Sequence, residues 1–438
     1  MNTRSAPTAQ PRRPKLLFIT YTFPPVRRSG SVRTWNIAKY LARSGWEITV
    51  VTPDPSRLRY VENPSATTAA LHQEGIQRLL TGHSWSWLAA DTVDCSNEGL
   101  PWLLGGIARR LSRSIGIDRS VGWIKAGLRA CSDLRPADVD VILASGPPFS
   151  AFPLAQRLSR RLGRPYVLDY RDLWSRDIYD PVPRAAGQES SVLNGCAAVT
   201  TVSPSWASIL DRDFGVGSKL HVVSNGYDAE YLAKITPHEF GHFAIVYAGT
   251  LFPPKRVVSP LMAALRRIRE DPADRSTPWR FHYYGPHVQH VSAEAERFGL
   301  QDHVVLHGEV SRLQALSSVK GAGVAVVITS VAEEPTAEDN GMVTGKIFEA
   351  VGLRTPTLLI APSGSDANSV AETSGLARSF TADDVAGIAA FVESVMEGKP
   401  LESKDPAAYA WENLVSRLAT VLESTIAVPQ DRAIAGNA

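Results

Sequence analysis

Six consecutive residues, Thr344-Gly345-Lys346-Ile347-Phe348-Glu349, have the types and spacing to hold a phosphorylated ligand. Thr344 can cap a helix that opens there, and Gly345 lets a ligand come close to the backbone. The first-turn N–H groups then point outward at a phosphate. Lys346 and Glu349 stand three apart, so both can face one ligand. The ammonium would neutralise a phosphate, and the carboxylate would accept hydrogen bonds from ribose hydroxyls. The plainer reading is a capped surface helix with an ordinary Lys/Glu pair, and six residues alone do not separate the two.

The surrounding elements decide more. The apolar run Val324 to Ile328, the polar loop Glu333 to Gly341 and a second run, Leu358 to Ile360, place the hexapeptide in a strand–loop–helix–strand unit. Earlier in the chain Lys15 to Thr20 reads as a buried parallel strand. It is followed by a loop ending Ser29-Gly30-Ser31, a helix from Val32 to Ser44 and a strand from Glu47 to Thr52. No GxGxxG follows the first strand, which lowers the case for a dinucleotide cofactor. Strands at Val139 to Ala144 and Tyr166 to Tyr170 put Ser145 to Pro148 and Arg171-Asp172 at the carboxyl edge of a sheet, where open α/β folds bind ligands. A second alternating series begins at Phe243 to Ala248 and continues through Arg280 to Tyr284, Val304 to His307, Val324 to Ile328 and Leu358 to Ile360.

The pattern predicts an α/β protein of two doubly wound, Rossmann-like domains facing across a ligand cleft. The first domain spans 14–232, with a Trp-rich insert at 53–125. A linker at 233–242 leads to a second domain at 243–404. A helix at 405–424 follows, and the tails 1–13 and 425–438 are expected to be loose. The insert holds Trp85, Trp87, Trp102 and Trp123, and a segment, Trp102 to Ile117, with the spacing of a basic amphipathic helix. Such a helix can cover a sheet, wall a cleft or lie on a membrane surface.

With 46 basic and 44 acidic residues in 438, the chain lacks the basic excess of a nucleic-acid binder. Three scattered cysteines, Cys95, Cys131 and Cys196, offer neither a disulfide framework nor zinc spacing, and fit a reducing cytoplasm. No run reaches the roughly 18 to 20 apolar residues of a membrane span. Arg12-Arg13 precedes an apolar run too short for an export signal.

Taken together, Asp169-Tyr170-Arg171-Asp172-Leu173-Trp174, Asn225-Gly226-Tyr227-Asp228, Tyr247-Ala248-Gly249-Thr250, Gly345-Lys346-Ile347-Phe348-Glu349 and the Pro-Pro/Ser-Gly-Ser loop resemble a GT-B glycosyltransferase of the retaining family-4 group. The resemblance covers most of residues 15 to 424, and it implies that the helix at 405–424 crosses back to the first domain. It implies that Glu349 holds the donor ribose and that Lys255 meets the donor diphosphate. Gly30 would open backbone amides to that diphosphate, and Lys346 would add charge beside it. Thr344, Gly345, Gly249, Thr250 and Arg256 complete the implied donor site. Two positions depart from the family. Gly341 stands where the first glutamate of the Glu-x7-Glu pattern belongs, and Thr250 stands where an arginine belongs. Glu338 or Asp339 is a candidate to approach the donor sugar instead, and Arg256 to supply the cation.

The implied activity moves a sugar from a nucleotide-diphosphate donor, UDP-sugar by family default, to a hydroxyl of a glycan, lipid-linked or natural-product acceptor. Retention and metal independence are implied as well, and no Asp-x-Asp is present to hold a cation. Arg171 and Asp172 lie on the acceptor side. Asp172 either orients the acceptor hydroxyl or pairs with Arg171 at the strand end. The expected site is cytoplasmic, with peripheral membrane contact through 85–123. Rival readings are a GT-B-type nucleotide-sugar epimerase and a non-catalytic nucleotide-sugar-binding module. A dehydrogenase is disfavoured by the missing glycine fingerprint.

Overall fold

A computed structural model of the protein describes residues 12–58, 60–82, 118, 120–178, 182–270 and 277–427. Two parallel sheets organise them. The first contains β1 (Lys15–Thr20), β2 (Glu47–Pro53), β3 (Gln77–Thr81), β4 (Val141–Gly146), β5 (Tyr166–Tyr170), β6 (Ala198–Thr201) and β7 (Leu220–Val222), in the order β3-β2-β1-β4-β5-β6-β7. The second contains β8 (Phe243–Ala248), β9 (Trp279–Tyr284), β10 (Val304–Gly308), β11 (Val324–Ile328), β12 (Thr357–Ile360) and β13 (Ala377–Phe380), in the order β10-β9-β8-β11-β12-β13. Strands such as β4, β11 and β12 are buried along their whole length, as expected of strands covered on both faces.

Both sheets reverse their winding at the middle, between β1 and β4 and between β8 and β11. This is the nucleotide-binding strand order, and ligands settle outside the carboxyl ends of the strands at that reversal. Helices pack by amphipathic patterning. Ala151–Leu162, for example, buries Phe152, Leu154, Ala155, Leu158 and Leu162, turns Arg157, Arg160 and Arg161 to solvent, and ends on left-handed Gly163.

Taking the described residues, the chain divides into two compact units. The first holds the residues up to Ser175, Val182–Thr200 and those from Val415 onward; the second holds Arg176–Asp177-Ile178 and Thr201–Leu414. Residues 234–242 carry no helix or strand, but the division falls at Thr200/Thr201, ahead of them.

Several expectations need correction. The insert expected at 53–125 opens with regular structure that continues the first sheet. Asn63 caps a helix over Pro64–Glu74, and β3 then pairs with β2 at the sheet edge. The proposed helix Trp102 to Ile117, with Trp85 and Trp87, lies outside the described residues. Trp123 is a core residue of the helix Val121–Ala130, fully buried, with its Nε1 donating to Thr81 Oγ1 at 2.6 Å. The first helix starts at Ser29, not Val32, so Gly30 sits in its first turn. The last helix runs Trp411–Ala427, so residues 425–427, expected in a loose tail, are helical.

Candidate functional site

In the second unit, the loop after β8 and the loop after β11 leave the same sheet edge. Gly249 ends β8 with φ at +143°, a conformation open to glycine, and the Lys346 stem lies where a side chain on Gly249 would go. Lys346 comes from the helix Gly345–Gly352. Its ammonium sits 5.8 Å from the centre of the Tyr247 ring and has no hydrogen bond or ion pair among the described residues. Burial draws the Lys346 pKa down to about 7. The Arg256 charge pushes the same way, and Glu349 opposes it. Arg256 is itself buried, with its guanidinium directed to the Thr329 carbonyl at 3.4 Å and to Met342 Sδ at 2.7 Å. Two cations thus lie at the opening of one helix, and a Cβ at Gly345 would meet nothing, so the space over the first turn is open. Thr344 occupies the N-cap position with extended backbone. Its hydroxyl makes no capping bond and is buried without a partner.

The remaining predicted donor residues are internally paired. Lys255 Nζ contacts both Asp339 oxygens at 3.0 and 3.1 Å. Asp339 is buried and also accepts from the Thr336 backbone and hydroxyl, closing a capping box on the short helix Ala337–Asn340. Burial alone would raise the Asp339 pKa, but bonds from Thr336 and Lys255 outweigh it and hold the carboxyl low. Glu349 Oε1 accepts from Arg312 Nη2 at 2.5 Å, and the Arg312 guanidinium lies 4.9 Å from the centre of the Tyr231 ring. Thr250 offers its carbonyl to the Tyr247 hydroxyl at 3.1 Å and brings no charge. Arg256 lies close enough to Lys346 for its charge to lower the Lys346 pKa. A side chain at Gly341 would run into the Trp206 indole, and Glu338, the other nearby acid, pairs with Arg176 at 3.2 Å.

In the first unit, Asp169 at the end of β5 is fully buried. It accepts from Arg33 at 2.6 and 3.1 Å, Ser145 Oγ at 2.7 Å and Thr200 Oγ1 at 2.8 Å. Burial would raise its pKa, but the Arg33 charge and these bonds hold it below the usual range. Arg171 is buried and donates to the Gly146 carbonyl at 3.1 Å and to the Pro147 carbonyl, bracing the loop after β4. Burial lowers its pKa to about 10, against the charges of Asp172 and Asp169. Gly30 faces this guanidinium directly, and any side chain there would collide with it. Asp172 is half-buried beside Arg171. Phe149 stacks on Trp174 at 5.1 Å, and a small, mainly apolar cavity lies by Trp174, lined also by Val121, Ile124 and Pro153.

Reading residue types missed Arg33, Arg312 and Trp206. Each acts through a partner distant in sequence, and no local motif marks it. Among the described residues, no helix is long and apolar enough to cross a membrane.

Residues 30–226 match the model of the glycosyl transferase 4-like domain. No curated protein is significantly similar to the chain in sequence. Among solved structures, sucrose-phosphate synthase from Thermosynechococcus elongatus superposes with a TM-score of 0.59 at 14% identity, covering 94% of this chain and 96% of that one. HepE from Anabaena in complex with UDP gives 0.56 at 15% identity, over 94% and 97% of the two chains. A putative UDP-N-acetylglucosamine 2-epimerase from Listeria monocytogenes gives 0.55 at 13% identity, over 94% and 96%. The chain therefore has the GT-B fold of two Rossmann-like domains.

Proposed function

We propose that the protein is a glycosyltransferase taking a sugar from a nucleoside-diphosphate donor, a UDP-sugar by preference, to a hydroxyl of a glycan, lipid-linked or natural-product acceptor. The observation that carries this reading is the unpaired Lys346 ammonium beside Arg256 at the opening of the helix Gly345–Gly352, with free space over Gly345. A diphosphate fits such a place, because the first-turn N–H groups and two cations converge on it. HepE, which superposes on this chain, was solved with UDP.

In this reading the bond between the anomeric carbon and the diphosphate oxygen breaks, and negative charge grows on the leaving group. Lys346, Arg256 and the backbone N–H groups of the helix opening stabilise that charge. Lys255 joins them when the diphosphate draws it away from Asp339. The acceptor oxygen bonds the same face of the sugar, so configuration is retained, and its proton passes to the departing diphosphate oxygen. No metal is required by this scheme. Asp172 and Arg171 lie at the carboxyl edge of the first sheet, where Asp172 would orient the acceptor hydroxyl, and the cavity by Trp174 suits an apolar part of an acceptor. The protein would work in the cytoplasm, with residues 85–123 free to contribute any peripheral membrane contact.

Calorimetric titration with UDP, GDP, ADP and TDP tests the donor site. Lys346→Ala is expected to weaken the best of these and inorganic pyrophosphate alike, by about tenfold or more. Glu349→Ala should weaken the nucleotide and leave pyrophosphate unchanged. If no nucleoside diphosphate binds the wild type, the donor reading is wrong. Incubation with UDP-sugars and no acceptor separates the epimerase reading, since only an epimerase would interconvert sugars under those conditions.

A further inference from the structure

We infer that Arg312 is a positioning residue that fixes the Glu349 carboxylate for the donor ribose, with Tyr231 as its platform. The inference rests on the donor reading above, in which Glu349 accepts from ribose hydroxyls. Three separate elements converge on this carboxylate. Glu349 rises from the helix Gly345–Gly352. Arg312 opens the helix Arg312–Gly321, whose preceding Ser311 caps it by accepting from Gln314 N–H at 3.2 Å. Tyr231 belongs to the short helix Ala229–Ala233 and lies under the guanidinium at 4.9 Å.

The arrangement gives a role to a motif the chemistry left unused. In Asn225-Gly226-Tyr227-Asp228, Asp228 caps the short helix by accepting from the Tyr231 N–H at 3.1 Å. Tyr227 exchanges backbone bonds with Tyr409 and Trp411 at 3.0 and 2.9 Å. The motif therefore fixes where Tyr231 sits, and Tyr231 limits where the Arg312 fork can go.

The pairing is also selective. Arg312 takes Glu349 Oε1 at 2.5 Å and leaves Oε2 with no hydrogen-bond partner among the described residues. A glutamate on a helix surface otherwise samples several rotamers, and each must be frozen out when a ligand binds. With one oxygen held by a guanidinium that is itself stacked, the other is already directed when a ribose arrives. The Glu349 side chain keeps 23% of its surface exposed, enough to receive a ligand hydroxyl.

The test uses the full chain and two probes: UDP, or whichever diphosphate of the panel binds best, and its 2′,3′-dideoxy counterpart. Arg312→Gln should weaken the ribonucleotide by about tenfold and the dideoxy form by less than about twofold. Arg312→Lys, which keeps the charge and loses the fork, should fall between. Arg312→Gln combined with Glu349→Gln should be no weaker than Glu349→Gln alone, because the two act as one unit. Equal losses for both probes, or additive losses in the double variant, would overturn the inference. Should Arg312→Gln fail to fold by circular dichroism, Tyr231→Leu removes the platform and is expected to show a smaller loss with the same selectivity for the ribonucleotide. If Glu349→Gln distinguishes the probes while both Arg312→Lys and Tyr231→Leu do not, only the inference fails. If Glu349→Gln does not distinguish them, the ribose assignment fails first.

Discussion

A β-carbon added at Gly341 would run into the five-membered ring of Trp206. That indole cannot easily swing away, because it is buried and its Nε1 donates to the Glu338 carbonyl at 3.0 Å. Ser203 Oγ donates to the Gly341 carbonyl at 2.7 Å. The departure from the Glu-x7-Glu pattern is therefore packed in, and restoring the acid by mutation does not restore a site. Gly341→Glu should cost about 1–3 kcal/mol of stability through overpacking and give no tighter grip on a nucleotide sugar. Thermal denaturation with and without UDP-glucose checks this; an unchanged melting temperature with stronger binding would contradict it. At this scale the sequence displays residue types and local spacing, so Lys346 and Glu349 are visible as a pair and Gly341 as an anomaly. Trp206 against Gly341, Lys255 against Asp339 and Arg33 against Asp169 are not visible, because each pair forms only when distant segments fold together.

At the scale of elements, a row of imidazoles runs from the residue before β8 through β9 to the edge strand β10. His242, just before β8, meets His282 of β9 through their Nε2 atoms at 2.8 Å, and His282 Nδ1 meets His307 Nε2 of β10 at 2.9 Å. The rings lie nearly parallel, at 7° and 17°. Three neutral rings satisfy both bonds with one proton in each, whereas added charge is opposed by burial and by Arg280 and His238 nearby. The His282 pKa falls to about 4, chiefly by burial and then through His307 and His242; those of His242 and His307 are lowered too, again by burial first. The unfolded chain takes up these protons near pH 6.5, while folded His282 resists its proton until about pH 4 and its two neighbours resist theirs in the same direction. Stability is thus full above pH 6.5 and falls as pH drops toward 4, by up to about 3 kcal/mol for His282. Melting curves between pH 7.5 and 4.5 should show this slope, and His282→Phe should flatten it; equal slopes would remove the explanation. The strands themselves were legible wherever they are buried on both faces, as β1, β4, β8, β11 and β12 are. At the edges, β3 (Gln77–Thr81) and β13 (Ala377–Phe380) are short and partly polar, so their runs do not announce strands. Asn63-Pro64 and Gly75 do mark the helix before β3, since one caps its start and the other ends it in the left-handed region.

For the whole molecule, the final helix tests how the chain is divided. Trp411, Leu414, Val415, Leu418 and Leu422 recur three and four apart and are almost completely buried, a stripe that the spacing alone predicts. What spacing cannot say is which core the stripe joins. Trp411–Leu414 group with the second unit, and the helix from Val415 onward groups with the first, although the first unit's other described segments end at Thr200. Leu418 lies on the far side of that division and is fully buried. Leu418→Ala should therefore destabilise the first unit by about 2–5 kcal/mol, the range for a large-to-small change in a packed core. The second unit closes its own core through β8–β12 and the helices Ser259–Glu270 and Val385–Met396, and Leu418 is no part of that cluster. Limited proteolysis followed by mass spectrometry reads the two units separately. In the variant, cleavage within β1–β5 should accelerate while β8–β12 stay protected. Protection lost from β8–β12 alone would place the helix with the second unit, and a single all-or-none loss across both would mean that the two cores unfold as one.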